Sequence, residues 1–194
     1  MKKLILLAAG IILSVVVYGQ KPMSNYENYM PVFAVKTNFL YWGTTTPNLA
    51  LEIGTGNKTT LDLVGTYNPW EFKDNKKMKH WLVQPEFRIW TCERFNGHFF
   101  GIHGHYAEYN FGGIRQFGMS HRRYEGNLYG GGISYGYQWI IGKRWNLEAT
   151  IGIGYAHLRY DKYECGDCGK FLGREHKNYF GPTKAGITLV YFIK

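Results

Sequence analysis

After its first twenty residues the chain has no apolar run of the ~20 residues a bilayer-crossing helix needs, so its main part cannot be a helical membrane protein. Cysteine is scarce. Three in 194 residues is an odd count, so at most one internal pair forms and one thiol is left over. No heptad repeat runs anywhere, which argues against a coiled coil. Acidic residues are in the minority, 14 against 23 basic. The formal charge of +9 falls to about +7 once two leader lysines are set aside. A basic balance often marks nucleic-acid binding, but an exported chain meets envelope phosphates and polysaccharides instead. Nucleic acid is therefore not an expected partner.

What is present begins with the leader. Lys2 and Lys3 form a positive start, Leu4 to Val17 an apolar stretch, and Val17-Tyr18-Gly19 a processing site. The run is short for an anchor helix, so residues 1–19 are expected to be a cleaved signal peptide. No cysteine follows to permit lipoprotein processing. Residues 20–31 then form a short periplasmic segment, and 32–194 one domain. Twenty-five glycines, 16 tyrosines, 12 phenylalanines and 6 tryptophans interleave in short runs, the composition of an all-β protein.

Eight segments alternate with a period of two: Val32–Trp42, Asn48–Gly54, Lys58–Tyr67, His80–Cys92, His98–Tyr109, Tyr129–Ile141, Trp145–Ala156 and Tyr179–Phe192. Pro85 interrupts the fourth, and a local bulge is expected there. Tight turns near residues 55, 95 and 143 alternate with long polar loops at 68–79, 110–123 and 161–178. The short 43–47 connection is the exception. This rhythm matches a closed antiparallel transmembrane β-barrel of about eight strands, with tight turns in the periplasm and longer loops outside.

A soluble barrel also alternates, but it fills its interior with large apolar residues. Here the polar face of the sixth and seventh segments is nearly all Gly, Ser, Thr and Ala, which suits a narrow lumen. Trp139 and Trp145 flank one tight turn, and Tyr41, Trp42, Tyr67, Trp81 and Tyr129 lie near the opposite ends, as in the aromatic rims of a membrane span. The expected location is the outer membrane of a Gram-negative cell. A soluble secreted β-barrel binding protein is the rival.

Several stretches resemble a known family: VKTN (35–38), LYW (40–42), TTTPNL (44–49), YNPW (67–70), KHWLVQPE (79–86) and CERFNGH (92–98). They are similar to the opening part of a Bacteroidetes family catalogued as a domain of unknown function. The likeness covers most of the chain after the leader and is fairly specific over residues 35 to 110. It implies an outer-membrane β-barrel, in some members encoded near fimbrial genes. It carries no catalytic motif, and the segment with Cys165 and Cys168 lies outside the matching part.

Glu52, Asp62, Glu86 and Glu148 fall on the polar faces, together with Lys36, Arg88 and Lys184. In a narrow barrel they would form a lumenal ionic network, because unpaired buried charge is costly. A structural plug is preferred over a gated pore, since about eight strands leave little room for water. His103 and His105 share a lumenal face and could be bases or ligands. With Ser134 or Glu108 they could serve a lipid-modifying enzyme of the lipid A deacylase or acyltransferase kind. No spacing ties these residues together, so structural histidines, no enzyme, no metal and no cofactor are expected.

Cys165-Gly166-Asp167-Cys168 reads as a disulfide clip in preference to a redox centre or half a zinc site. Cys92 is expected to be a free buried thiol. Lys73, Lys76, Lys77 and Lys79, then Arg115, Arg122 and Arg123, then Lys170, Arg174 and Lys177 would crown one rim. The crown suits phosphates or acidic glycans, or is ordinary loop charge beside lipopolysaccharide. The expected partners are outer-membrane lipid, lipopolysaccharide and fimbrial or other surface proteins, with the protein a monomer. Its expected role is structural or in cell-surface interaction.

Overall fold

A computed structural model describes residues 31–72, 76–112, 122–164 and 169–193. The expected signal peptide, its processing site and residues 20–30 of the expected periplasmic segment lie outside those residues. The described chain is almost entirely strand. β1 (Phe33–Asn38) leads into one helical turn, α1 (Phe39–Gly43), followed by β2 (Asn48–Gly54) and β3 (Thr59–Asn68). Then come the two-residue β4 (Glu71–Phe72), β5 (Lys76–Trp90), β6 (Gly97–Gly112), β7 (Arg122–Ile140), β8 (Trp145–Glu164) and β9 (Phe171–Ile193). Neighbours in sequence pair antiparallel, β9 returns to β1, and β3 pairs β5, so the eight long strands close into a ring.

The register makes the ring amphipathic. One line of paired residues runs Ile193, Phe33, Ile53, Leu61, Phe87, Ile102, Ile133, Ile153, Pro182. The next line, one residue along each strand, runs Phe192, Ala34, Glu52, Asp62, Glu86, His103, Gly132, Gly154, Gly181. Side chains alternate across a sheet, so the first line is an apolar belt on one face and the second lies on the other. Ile102 is 67% exposed, Ile133 60% and Ile151 61%, whereas Glu52 is 0% and Glu148 1% exposed. The greasy face points out. Each line starts near Ile193 on β9 and returns to β9 about a dozen residues higher, the stagger of tilted strands in a closed sheet.

Strand length climbs from 6 residues in β1 to 23 in β9. The strands therefore run into all three polar connections expected as long loops, taking in 71–72 and 76–79, 110–112 and 122–123, and 161–164 and 171–178. β7 and β8 pair out to Arg122 and Glu164, and β8 and β9 out to Tyr163 and Phe171. Polar residues alternate there as well as apolar ones do lower down, because above the belt both faces of the sheet are wet. Along this tall side β1 pairs β9 only over Thr188–Ile193. Asn38 then extends the pairing by one step, its carboxamide donating to the Ala185 carbonyl (3.1 Å) and accepting from Ile187 N–H (3.2 Å).

Two further expectations are corrected. The first strand does not continue to Trp42: Asn38 caps a helical turn by accepting from Leu40 N–H (3.0 Å), and Trp42 Nε1 donates back to Thr37 Oγ1 (2.8 Å). Nor is there a bulge at Pro85. Register runs unbroken from Val83↔Tyr106 to Glu86↔His103, so the missing N–H opens the ladder opposite Gly104 without an inserted residue. The extra residue falls on β9 instead, where Gly152 pairs Lys184 and Ile153 pairs Pro182, leaving Thr183 over.

Candidate functional site

The inward face carries the charges. Lys36 stands on β1, Glu52 on β2, Asp62 on β3, Glu86 and Arg88 on β5, Glu148 on β8 and Lys184 on β9. The ring brings all seven together. Arg88 is the hub: Nη1 donates to Glu52 Oε2 (3.1 Å) and Glu148 Oε2 (3.0 Å), and Nη2 to Asp62 Oδ2 (2.8 Å) and Glu86 Oε2 (2.9 Å). Lys36 Nζ bridges Glu52 (2.8 Å) and Glu148 (2.7 Å). Lys184 Nζ pairs with Glu86.

Glu52, Asp62 and Glu86 are register neighbours on three successive strands. Like charges directly opposite repel, so that row holds only because three cations interleave with it. Three cations against four carboxylates leave one negative charge in excess. Hydroxyls help to carry it: Thr60 donates to Glu52 (2.5 Å), Thr150 to Glu148 (2.8 Å), and Ser134 to Glu86.

Below this layer lies an apolar one that the sequence reading overlooked. Trp90, Phe95, Phe99, Val190, Phe192 and Ala34 form a buried cluster, with Trp90 4.8 Å from Phe99 and Phe95 edge-on to Phe192 at 5.1 Å. Arg88 joins the layers, its guanidinium 4.4 Å from the Phe99 ring centre. Trp90 Nε1 donates to Thr60 Oγ1 (3.0 Å). Parity was the available signal, since Trp90 continues the alternation of Glu86 and Arg88, and Phe192 that of Lys184 and Thr188. Above the charges is a cavity of about 20 Å³, touched by Asp62, Gln84 and Lys184 among others, room for about one water molecule.

His103 and His105 also point inward and are buried. His103 Nε2 meets Thr183 Oγ1 at 2.9 Å, so the bulge on β9 supplies its partner. Glycine on β7 and β8 makes the room. A Cβ at Gly152 would stand 3.1 Å from His103 Cε1, and one at Gly130 2.9 Å from His105 Nε2. Ser134 is engaged by Glu86. Glu108 is on the outer surface, accepting from Trp81 Nε1 (3.1 Å) and Tyr106 OH (2.9 Å). The wall therefore separates Glu108 from both histidines.

Cys92 is exposed, not buried as expected, because it lies past Trp90 in the β5–β6 turn. Cys165 and Cys168, Lys73 and Arg115 fall outside the described residues. Lys79, Arg123, Lys170, Arg174 and Lys177 gather at the end of the ring that carries α1 and the long hairpins. There Arg123 pairs with Glu125 (3.1 Å) and Arg174 with Asp161 (2.8 Å).

Fold and site together define a class: a closed antiparallel β ring, apolar outside and ion-paired within. Within it, the chain belongs to the family described as "Protein of unknown function (DUF3575)", whose model matches residues 5–193. That span takes in the Cys165–Cys168 segment, which the sequence resemblance had left out. No curated protein and no solved structure matches the chain.

Proposed function

We propose that the chain is exported by its leader and spans the outer membrane of a Gram-negative cell as a plugged barrel with a structural or cell-surface role. The observation that carries this reading is the apolar belt. Soluble proteins rarely expose contiguous apolar patches beyond a few hundred Å², yet here every long strand contributes exposed Leu, Ile, Val or Phe. From Trp145 to Tyr155, β8 presents an outward face bounded by aromatic rings, matching the ~9–11 residues of a tilted membrane strand. Closure satisfies the backbone where lipid cannot.

The ionic and aromatic layers make the barrel a plug in preference to a pore. The lipid-modifying alternative needs a histidine that lipid can reach, and both lumenal histidines are buried. A partnership with fimbrial or other surface proteins rests on the family resemblance alone. Envelope fractionation combined with a gel run with and without boiling tests the core of the proposal. A membrane-fraction protein whose unboiled band migrates differently supports it. Recovery in the soluble periplasm without detergent overturns it.

A further inference from the structure

The hairpin wall above the belt carries a feature that plugging does not use. On its outward face lies a basin of about 640 Å³ lined by His157, Arg159, His176, Asn127, Asp161 and Arg174 among others. It starts where the apolar face ends: Tyr129 pairs in register with His157, and their rings lie 5.4 Å apart. In the membrane reading, on which this inference rests, that is the level of the outer-leaflet headgroups.

The charges around the basin are not equivalent. Asp161 accepts twice from Arg174 (2.8 and 3.2 Å), Glu125 pairs with Arg123 (3.1 Å) and Glu175 with Lys162 (2.5 Å). Among the described residues no carboxylate pairs with Arg159. Its Nε donates to His157 Nε2 at 3.4 Å, and its guanidinium stands 5.7 Å from the Tyr129 ring centre. His157 Nδ1 meets Asn178 Oδ1 at 2.7 Å, which sets its tautomer, and His176 stacks on it at 6.0 Å. The two terminal nitrogens of Arg159 and the ring of His176 are thus held at the basin with donors to spare.

We infer that this basin binds the phosphate of an outer-leaflet glycolipid headgroup, with Arg159 supplying the guanidinium fork and His176 a further donor. A planar fork suits phosphate oxygens, and the ion-paired carboxylates at the rim can accept from sugar hydroxyls. Tyr129, Ile133, Ile151, Ile153 and Tyr155 lie directly below and would take the acyl chains. That continuity favours a lipid over free phosphate.

The test uses the full chain refolded in detergent micelles and native mass spectrometry with three probes: bisphosphorylated lipid A, its dephosphorylated counterpart, and inorganic phosphate. The wild type should retain the phosphorylated lipid about tenfold better than the dephosphorylated one, and Arg159→Gln should remove most of that difference. Arg144→Gln, at the other end of the ring, should change nothing. Equal retention of the two lipids, equal loss in both variants, or displacement of lipid by millimolar inorganic phosphate each overturns the inference. Insertion of each variant into vesicles, read by the boiling-dependent gel shift, is scored separately. A barrel that inserts without discriminating headgroups sinks this site and leaves the membrane reading standing.

Discussion

Arg88 donates to carboxylates from four strands, Glu52 of β2, Asp62 of β3, Glu86 of β5 and Glu148 of β8. A guanidinium can do this because it is planar and offers five N–H groups. Removing it leaves four buried carboxylates facing two lysines, and breaking such a buried pair costs ~3–5 kcal/mol. Arg88→Met should therefore lower the urea midpoint of refolded protein by an amount equivalent to a few kcal/mol, read by tryptophan fluorescence. Arg88→Lys should recover only part, since one ammonium cannot reach all four acceptors. A loss below ~1 kcal/mol would mean that the aromatic layer alone holds the ring shut.

The strands carry two further expectations. Ile151 sits midway along the outward face of β8, and in the membrane reading its replacement by Lys costs ~2–4 kcal/mol, against ~0–1 near or beyond the interface. Phe171→Lys, on the outer hairpin, is the comparison. Similar costs for both in a vesicle folding titration would contradict a belt at bilayer depth. On the same hairpin, hydrogen bonds from Arg174 hold the Asp161 carboxyl below its ordinary range. A depressed carboxyl lends stability that is present above its unfolded-state value and is lost as pH falls through the folded one. Amide exchange at the tip of β8 and β9 should thus speed up, relative to the intrinsic rate, between about pH 4 and more acid conditions. Arg174→Gln should abolish that acid step, and an unchanged step would assign it to another group.

At the scale of the whole molecule, the proposed plug rests on an aromatic layer and an ionic layer stacked inside the ring. The protein reconstituted in a planar bilayer should show no unitary conductance steps, and regular steps in the unmodified chain would replace the plug with a gate. The lopsided rim adds a directional property. β1 and β2 stop early while β7, β8 and β9 rise past the belt, so any contact made outside the ring falls mainly on one side. The basin around Arg159 lies on that side.

The alternation of residues was enough to place Glu52, Asp62, Glu86, Arg88, Glu148, Lys36 and Lys184 on one face and Leu51, Ile53, Leu61, Leu63, Ile133, Ile151 and Ile153 on the other. Side-chain direction in a strand depends only on position along it, so a period of two can be read from one sequence. The β2 bounds were legible for the same reason. Partner choice beyond Glu86 was not, because the other carboxylates that meet Arg88 come from β2, β3 and β8 and depend on register and stagger, which no local pattern encodes. The Thr183 bulge that reaches His103, the turn at Phe39–Gly43, the rise of polar loops into hairpins and the coming together of Arg159 with two histidines were likewise decided only when the sheet closed on itself.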